Sequence, residues 1–172
     1  MVAANETMRL ALAGATIALA TRRDLWEILR GTEADMRTAG EEFLRWTSPA
    51  THVLRTALCD TELAGITVQA GDLIVAWLPA ANRDEREFHR PWECDPTRRP
   101  NRQLAFGDGA HHCIGSVLAR SELMVALRTI TELATGVELL GPPEYLPSIN
   151  TSGFKHVPMR LIPPIRGKWR RG

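Results

Sequence analysis

The sequence predicts a mainly α fold with a small β part, and three features carry that expectation. Residues 2–20 and Ser116–Ala134 are apolar on most helical faces, the pattern of helices central to a core. Between them lie three β-like runs, "VLRTALC", "GITVQAGD" and "LIVAWL", with Gly65 and Gly71-Asp72 as turns. Beyond Gly141-Pro142-Pro143, two short apolar runs suit turns and a small sheet.

In chain order, residues 2–20 form a buried helix with no capping residue ahead of it, which implies a further part upstream. Its centre, "LALAGATIALA" (Leu10–Ala20), also has the length and Ala-x-Ala ending of a secretory apolar segment. It is too short to span a bilayer. Glu6 in the would-be basic region and Arg22-Arg23 directly after it oppose export. Asp24–Arg30 is a short helix stopped by Gly31. Thr32 is the candidate cap of the next helix, which runs through Trp46 to the break at Ser48-Pro49. From Pro79 to Gly109 the chain is rich in Pro, Arg, Asp and Asn, and an irregular loop of that length is usually functional.

Bulk properties narrow the function. A chain of 172 residues with 44% hydrophobic and 24% charged residues suits one globular domain. A net charge of +1 gives no electrostatic case for nucleic acid or an anionic membrane surface. Cys59, Cys94 and Cys113 are too few and too uneven in number for a disulfide framework, which fits a reducing, cytoplasmic setting.

The chemistry concentrates in "FGDGAHHCIG", Phe106–Gly115. A glycine-rich turn lets backbone approach a flat or bulky ligand. Cys113 precedes a helix start, where free N–H groups and positive potential stabilise a thiolate. Phe106 can shield the sulfur from water. Three roles stay open for the residue alone: a small buried hydrophobe, a metal ligand or a nucleophile; a zinc ion would draw on His111, His112 and Cys113 together. Adjacent residues cannot all turn to one tetrahedral ion, and no second paired-ligand motif accompanies them.

The string Phe106-Gly107-x-Gly109-x-His111-x-Cys113-x-Gly115 resembles the haem-ligand loop of the cytochrome P-450 family, the haem-thiolate monooxygenases. The resemblance extends along the chain. Glu42-Phe-Leu-Arg45 is similar to the family's E-x-x-R on its helix K, and Ala3–Thr7 to the acid–alcohol stretch of its central helix I. Thr51–Thr56, Ala81–Asp84, Leu104–Phe106 and Ser152–Lys155 are similar to the soluble bacterial branch.

The resemblance implies the C-terminal portion of that fold, truncated before helix I, with residues 1–162 as the haem-ligating unit and 163–172 as a basic tail. It implies haem b held by the Cys113 thiolate, with Phe106, Gly107, Gly109 and Gly115 shaping the loop and Arg55 and His111 meeting the propionates. Glu6 and Thr7 would relay protons, Glu42 and Arg45 would form a buried structural pair, and Ala50, Thr51, Val53, Thr151, Ser152 and Phe154 would touch substrate. The implied reaction is O2-dependent oxidation of an apolar small molecule, with electrons passing from NAD(P)H through a ferredoxin or flavoprotein reductase. The alternative is a non-catalytic remnant that binds haem weakly or not at all. One position departs from the pattern. In the register Phe88-x-x-Pro91-x-Glu93-x-Asp95, Glu93 stands where the family carries an arginine, so two carboxylates would face Arg45 unless Arg90, Arg98 or another cation substitutes.

Overall fold

The computed structural model describes residues 2–31 and 35–164; Thr32 and most of the basic tail lie outside that range. Helix α1 (Val2–Thr21) runs through the core, and its alanines let neighbours come close. A Cβ added at Gly14 would lie 2.6 Å from Thr47 Cγ2, which measures how tightly α1 meets α3. The Leu10–Ala20 stretch is thus the middle of a core helix, with Leu10, Ala11, Ala15 and Leu19 buried. Helix α2 (Arg23–Arg30) turns back on α1, and Trp26 Nε1 donates to Leu19 O at 2.8 Å to close the corner.

Helix α3 (Met36–Thr47) is capped by Asp35, whose carboxylate accepts from Arg37 N. It ends at Ser48, in the left-handed region (φ 40°), with Pro49 blocking continuation. Helix α5 (Ser116–Leu133) is the second long core helix. Phe43 and Leu44 of α3 join Leu123 and Leu127 of α5 and the alanines of α1 in one apolar cluster.

Four two-stranded antiparallel sheets decorate this helical centre. Strands β1 (His52–Thr56) and β4 (Leu73–Trp77) pair with Arg55 opposite Ile74; β2 (Thr61–Leu63) and β3 (Ile66–Val68) form a hairpin between them. Near the end, β5 (Gly136–Leu139) pairs with β8 (Met159–Ile162), and β6 (Glu144–Tyr145) with β7 (Phe154–His156). A short helix α4 (Leu78–Ala81), opened by the proline at 79, follows β4 where the sequence suggested the strand run giving way to loop.

From Asn82 to Asp108 there is no helix or strand, and a buried ion network does the work of regular structure. Glu42 and Arg45 are fully buried and paired, with Arg45 Nη2 2.7 Å from Glu42 Oε1 and Nε 2.8 Å from Oε2. Arg98 Nε reaches the same carboxylate at 3.0 Å, as does Asn101 Nδ2. One carboxylate therefore faces two guanidiniums. The excess positive charge is absorbed by backbone carbonyls: Arg45 donates to Asn82, Pro91 and Glu93, and Arg98 to His89, Arg90 and Glu93.

This arrangement fits the expectation for Glu93 at the arginine position: one of the candidate cations, Arg98, substitutes there. Arg98 supplies the third charge, five residues further along. Glu93 contributes only its main-chain oxygen to the network, and its carboxylate turns outward to Arg90 at 2.5 Å. The Arg45 guanidinium also lies over the Phe88 ring, 5.2 Å from its centre.

Candidate functional site

The loop before α5 is built by backbone hydrogen bonds. Gly107 N donates to Leu104 O at 2.9 Å, Cys113 N to Phe106 O at 3.0 Å, and Ser116 N to Cys113 O at 3.1 Å. Gly107 (φ 68°) and Gly109 (φ 70°) occupy the left-handed region, where any side chain would be strained. These two turns fold the loop back so that Cys113 lies exposed beside the first turn of α5, with Gly115 at the cap. A Cβ on Gly115 would sit 3.8 Å from Cys113 Sγ, in contact with the thiol.

Cys113 opens into a cleft of about 460 Å3. Its walls are mostly apolar: Ala50 and Val53 from the start of β1, Ala105 and Phe106 from the loop, and Ile114, Leu118 and Ala119 around the helix start. Arg55 and His111 add polar groups to the same lining, and Thr7 reaches it from α1. Arg55 makes no ion pair among the described residues; its guanidinium donates only to the neighbouring Leu54 carbonyl at 2.8 Å. Phe106 is held from behind by Arg120, whose guanidinium lies 4.6 Å from the ring centre and is itself fixed on Glu41 at 2.5 Å.

The other two thiols have different surroundings. Cys94 is buried, and its pKa is pushed up to about 12, first by burial and then by the charge of Glu42. Cys59 is exposed in the turn between β1 and β2. Among the described residues no group of three His, Cys, Asp or Glu side chains is placed to hold a metal ion, so His111 and His112 do not build a zinc site with Cys113.

The remaining expected residues divide. Glu6 is bound by Arg9, which holds its carboxyl below the usual range, and it does not line the cleft. Arg9 also donates to Phe154 O at 2.9 Å, tying α1 to β7. Thr51 is buried, with its hydroxyl committed to Ile149 O. Thr151 pairs with Ala50 in an isolated bridge, but it is not part of the cleft lining. Ser152 and Phe154 line a second pocket of about 330 Å3, together with Leu10, Gly14 and Trp46. The expected contact turn at 151–154 is therefore pressed onto α1: a Cβ at Gly153 would meet Leu10 Cδ2 at 2.6 Å.

Sequence reading missed the α5 wall. Leu118, Ala119 and Glu122 line the cleft from α5, three, four and seven residues after Gly115, the spacing of one helix face. That spacing, counted from Gly115, was the available signal.

The donor set fits a haem: an exposed thiol in an apolar cleft, with a guanidinium free of protein carboxylates and an imidazole in the lining. Comparison with known proteins agrees. The cytochrome P450 family model matches residues 37–132, and the chain belongs to that family, which uses haem bound through a cysteine thiolate. The chain is 34% identical over 163 residues to linalool 8-monooxygenase of Pseudomonas putida, covering 95% of this chain and 40% of that protein. It is 39% identical to the methyl-branched lipid omega-hydroxylase of Mycobacterium bovis, covering 92% of this chain and 38% of that one. The crystal structure of P450 OxyD, a protein involved in the biosynthesis of vancomycin-type antibiotics, is 48% identical, with a TM-score of 0.88 over 92% of this chain and 41% of that chain. The fold is thus a partial P450 fold, helical with small sheets, and the chain spans about two fifths of the length of these relatives.

Proposed function

We propose that this chain provides the haem-ligating part of a monooxygenase that oxidises an apolar small molecule with O2. The observation that carries this reading is the exposed Cys113 thiol in a mostly apolar cleft that also holds an Arg55 with no protein carboxylate to pair with. The names of two relatives support the substrate class, since linalool and methyl-branched lipids are both largely apolar.

Haem bound through Cys113 supplies oxygen activation and the transfer of one oxygen atom to a carbon. The chain's own residues prepare that chemistry. Cys113 would hold the haem through its sulfur, which the loop presents beside the first turn of α5. Gly115 keeps the space beside the sulfur free of a side chain. Arg55 and His111 meet the two carboxylates of the macrocycle's edge; the planar fork of Arg55 suits bidentate pairing. Phe106, clamped by Arg120, keeps water from the sulfur's far side. Thr7 brings a hydroxyl to the cleft that can hold a proton in place, whereas Glu6 must first separate from Arg9 before it can exchange one. Ala50 and Val53 offer apolar surface to the substrate. Electrons would come from NAD(P)H through a ferredoxin or flavoprotein reductase, in the cytoplasm.

A second reading applies to the 172-residue polypeptide taken by itself: weak haem retention without turnover. It is favoured by the exposure of Ile114, Val117 and Leu118 around the thiol, since apolar surface open to water neither retains a flat apolar ligand well nor excludes solvent from it. The test of the main reading is spectroscopic. Haem-loaded protein, reduced and exposed to CO, should give a thiolate-type Soret band that Cys113→Ser abolishes. Persistence of that band in the serine variant removes Cys113 as the ligand.

A further inference from the structure

Thr51 is expected from sequence to touch substrate, but every polar atom it has is used inside the protein. Its N–H donates to Asn150 O at 3.1 Å, and its carbonyl accepts from Leu78 N at 2.9 Å. Its hydroxyl oxygen lies 2.5 Å from Ile149 O and 2.9 Å from His52 Nδ1. A hydroxyl carries one proton, and the Ile149 carbonyl can only accept. That proton therefore goes to Ile149, and His52 must donate from Nδ1 to the Thr51 oxygen. The tautomer of His52 follows from its neighbours rather than from an arbitrary assignment.

The ring of His52 is fixed from its face as well. It stacks on Trp77, its cross-strand partner in β4, with ring centres 5.6 Å apart and planes within 4°. Around Thr51, Ala50 pairs with Thr151, and Ser152 N donates to Pro49 O at 2.9 Å. Three separate segments thus meet at one residue: the start of β1, the start of α4 and the 149–152 turn. The residues flanking the Thr51–His52 pair, Ala50 and Val53, line the cleft of Cys113.

We propose that Thr51 and His52 are positioning residues for the substrate wall: the His52 Nδ1–H, the Thr51 hydroxyl and the Ile149 carbonyl form a clasp that fixes Ala50 and Val53 in the Cys113 cleft and so sets which apolar molecules it accepts. The inference rests on reading that cleft as the haem and substrate site. Neither residue touches substrate. They act by holding a backbone whose displacement by a few tenths of an ångström changes the shape offered to a ligand.

The experiment compares wild type with Thr51→Val, Thr51→Ser and His52→Phe in the full chain. Valine removes the hydroxyl at nearly constant volume, serine keeps it, and phenylalanine keeps a ring on Trp77 while deleting the donor. Nitrogen-detected NMR of the wild-type His52 ring should show the proton on Nδ1. Hydrogen exchange at the Leu78 and Ser152 amides should speed up about five- to tenfold in Thr51→Val and His52→Phe, and less than about twofold in Thr51→Ser, as expected for loss of one buried hydrogen bond. In haem-loaded protein, the ratio of affinities for linalool and dodecanoic acid, read from ligand-induced spectral shifts, should change about threefold or more in the first two variants. The thiolate-type Soret band should remain in all of them. An Nδ1 without a proton, or exchange and ligand ratios in Thr51→Val equal to wild type, overturns the clasp. If Thr51→Val does not fold, His52→Phe decides by the same readouts. Absence of the thiolate band from wild type as well overturns the haem reading, and with it the role in substrate choice, while the ring tautomer and the exchange rates still decide the clasp on their own.

Discussion

Arg98 is expected to be far more important to stability than its neighbour Glu93, and the structure gives the size of the difference. Arg98 is 8% exposed and bonds to a fully buried carboxylate and to the carbonyls of His89 and Glu93. Arg98→Met keeps the aliphatic volume and removes these bonds. The lost charge-assisted bond to Glu42 is worth about 1.5–3 kcal/mol, and the His89 carbonyl, left without this donor, costs about 1 kcal/mol more, while the Glu93 carbonyl keeps its bond from Arg45. The sum is about 2.5–4 kcal/mol, close to the range of about 3–5 kcal/mol seen when one partner of a buried ionic group is removed. Glu93→Ala instead deletes a pair whose side chains are 46% and 64% exposed, which is worth about 0–1 kcal/mol after solvent screening. The main-chain oxygen of Glu93, the part used by the network, survives that substitution. Urea unfolding followed by tryptophan fluorescence measures both. With a urea slope of about 1–3 kcal/mol/M, Arg98→Met should lower the midpoint by about 1–4 M, or prevent folding, and Glu93→Ala should barely move it. Equal effects of the two substitutions, or a cost below about 1 kcal/mol for Arg98→Met, would refute the assignment of Arg98 as the third charge.

Two further outcomes follow from the site. Cys113 and Cys59 should alkylate readily at pH 8 in haem-free protein while Cys94 stays unmodified, as peptide mass spectrometry will show. Because folding raises the Cys94 pKa from 9.0 to about 12, the stability tied to its neutral form is complete below 9.0 and is lost as pH rises toward 12; the loss is at most about 1.4 kcal/mol per pH unit in that window, and Cys94→Ala should flatten the alkaline unfolding curve there. Arg55→Gln should weaken haem retention about 10- to 100-fold, measured by transfer to apomyoglobin, with the thiolate-type spectrum of the remaining bound haem unchanged.

The elements set by local rules could be read from sequence, and those set by distant contacts could not. Both long core helices are apolar around most of their circumference, and the structure ends them within a residue or two of the expected limits. The β-like runs were legible for the same reason, since alternation and Gly turns act over a few residues. Asp35 replaced Thr32 as the cap of α3 because both residue types suit a cap, and only the backbone path chooses between them. Arg98 could be named from sequence only as one of several candidate cations. Between Asn82 and Asp108 no periodicity constrains the chain, so spacing alone could not show that the fifth residue after Glu93 reaches back to Glu42. The cleft was half legible: the Cys113 loop announced itself through its glycines, while Ser152 and Phe154 gave no sign that they would face a second pocket across α1.

The ion network and the thiol belong to one mechanical chain, which is why the buried pair Glu42 and Arg45, about seventy residues before Cys113, matters to it. Arg45 donates to the main-chain oxygen of Asn82 at 2.7 Å. The side chain of Asn82, fully buried, donates to Ser48 Oγ and accepts from Leu104 N at 2.7 Å. Leu104 O then holds Gly107 N, and Phe106 O holds Cys113 N. Each link is a hydrogen bond with fixed direction, so a guanidinium locked on Glu42 sets the height at which the glycine loop leaves the core. Helices α3 and α5 fix the two ends of this path through the apolar cluster of Phe43, Leu44, Leu123 and Leu127. A segment with no helix or strand can therefore present a sulfur atom at a defined place. Its rigidity comes from satisfied carbonyls around two arginines rather than from a repeating backbone pattern.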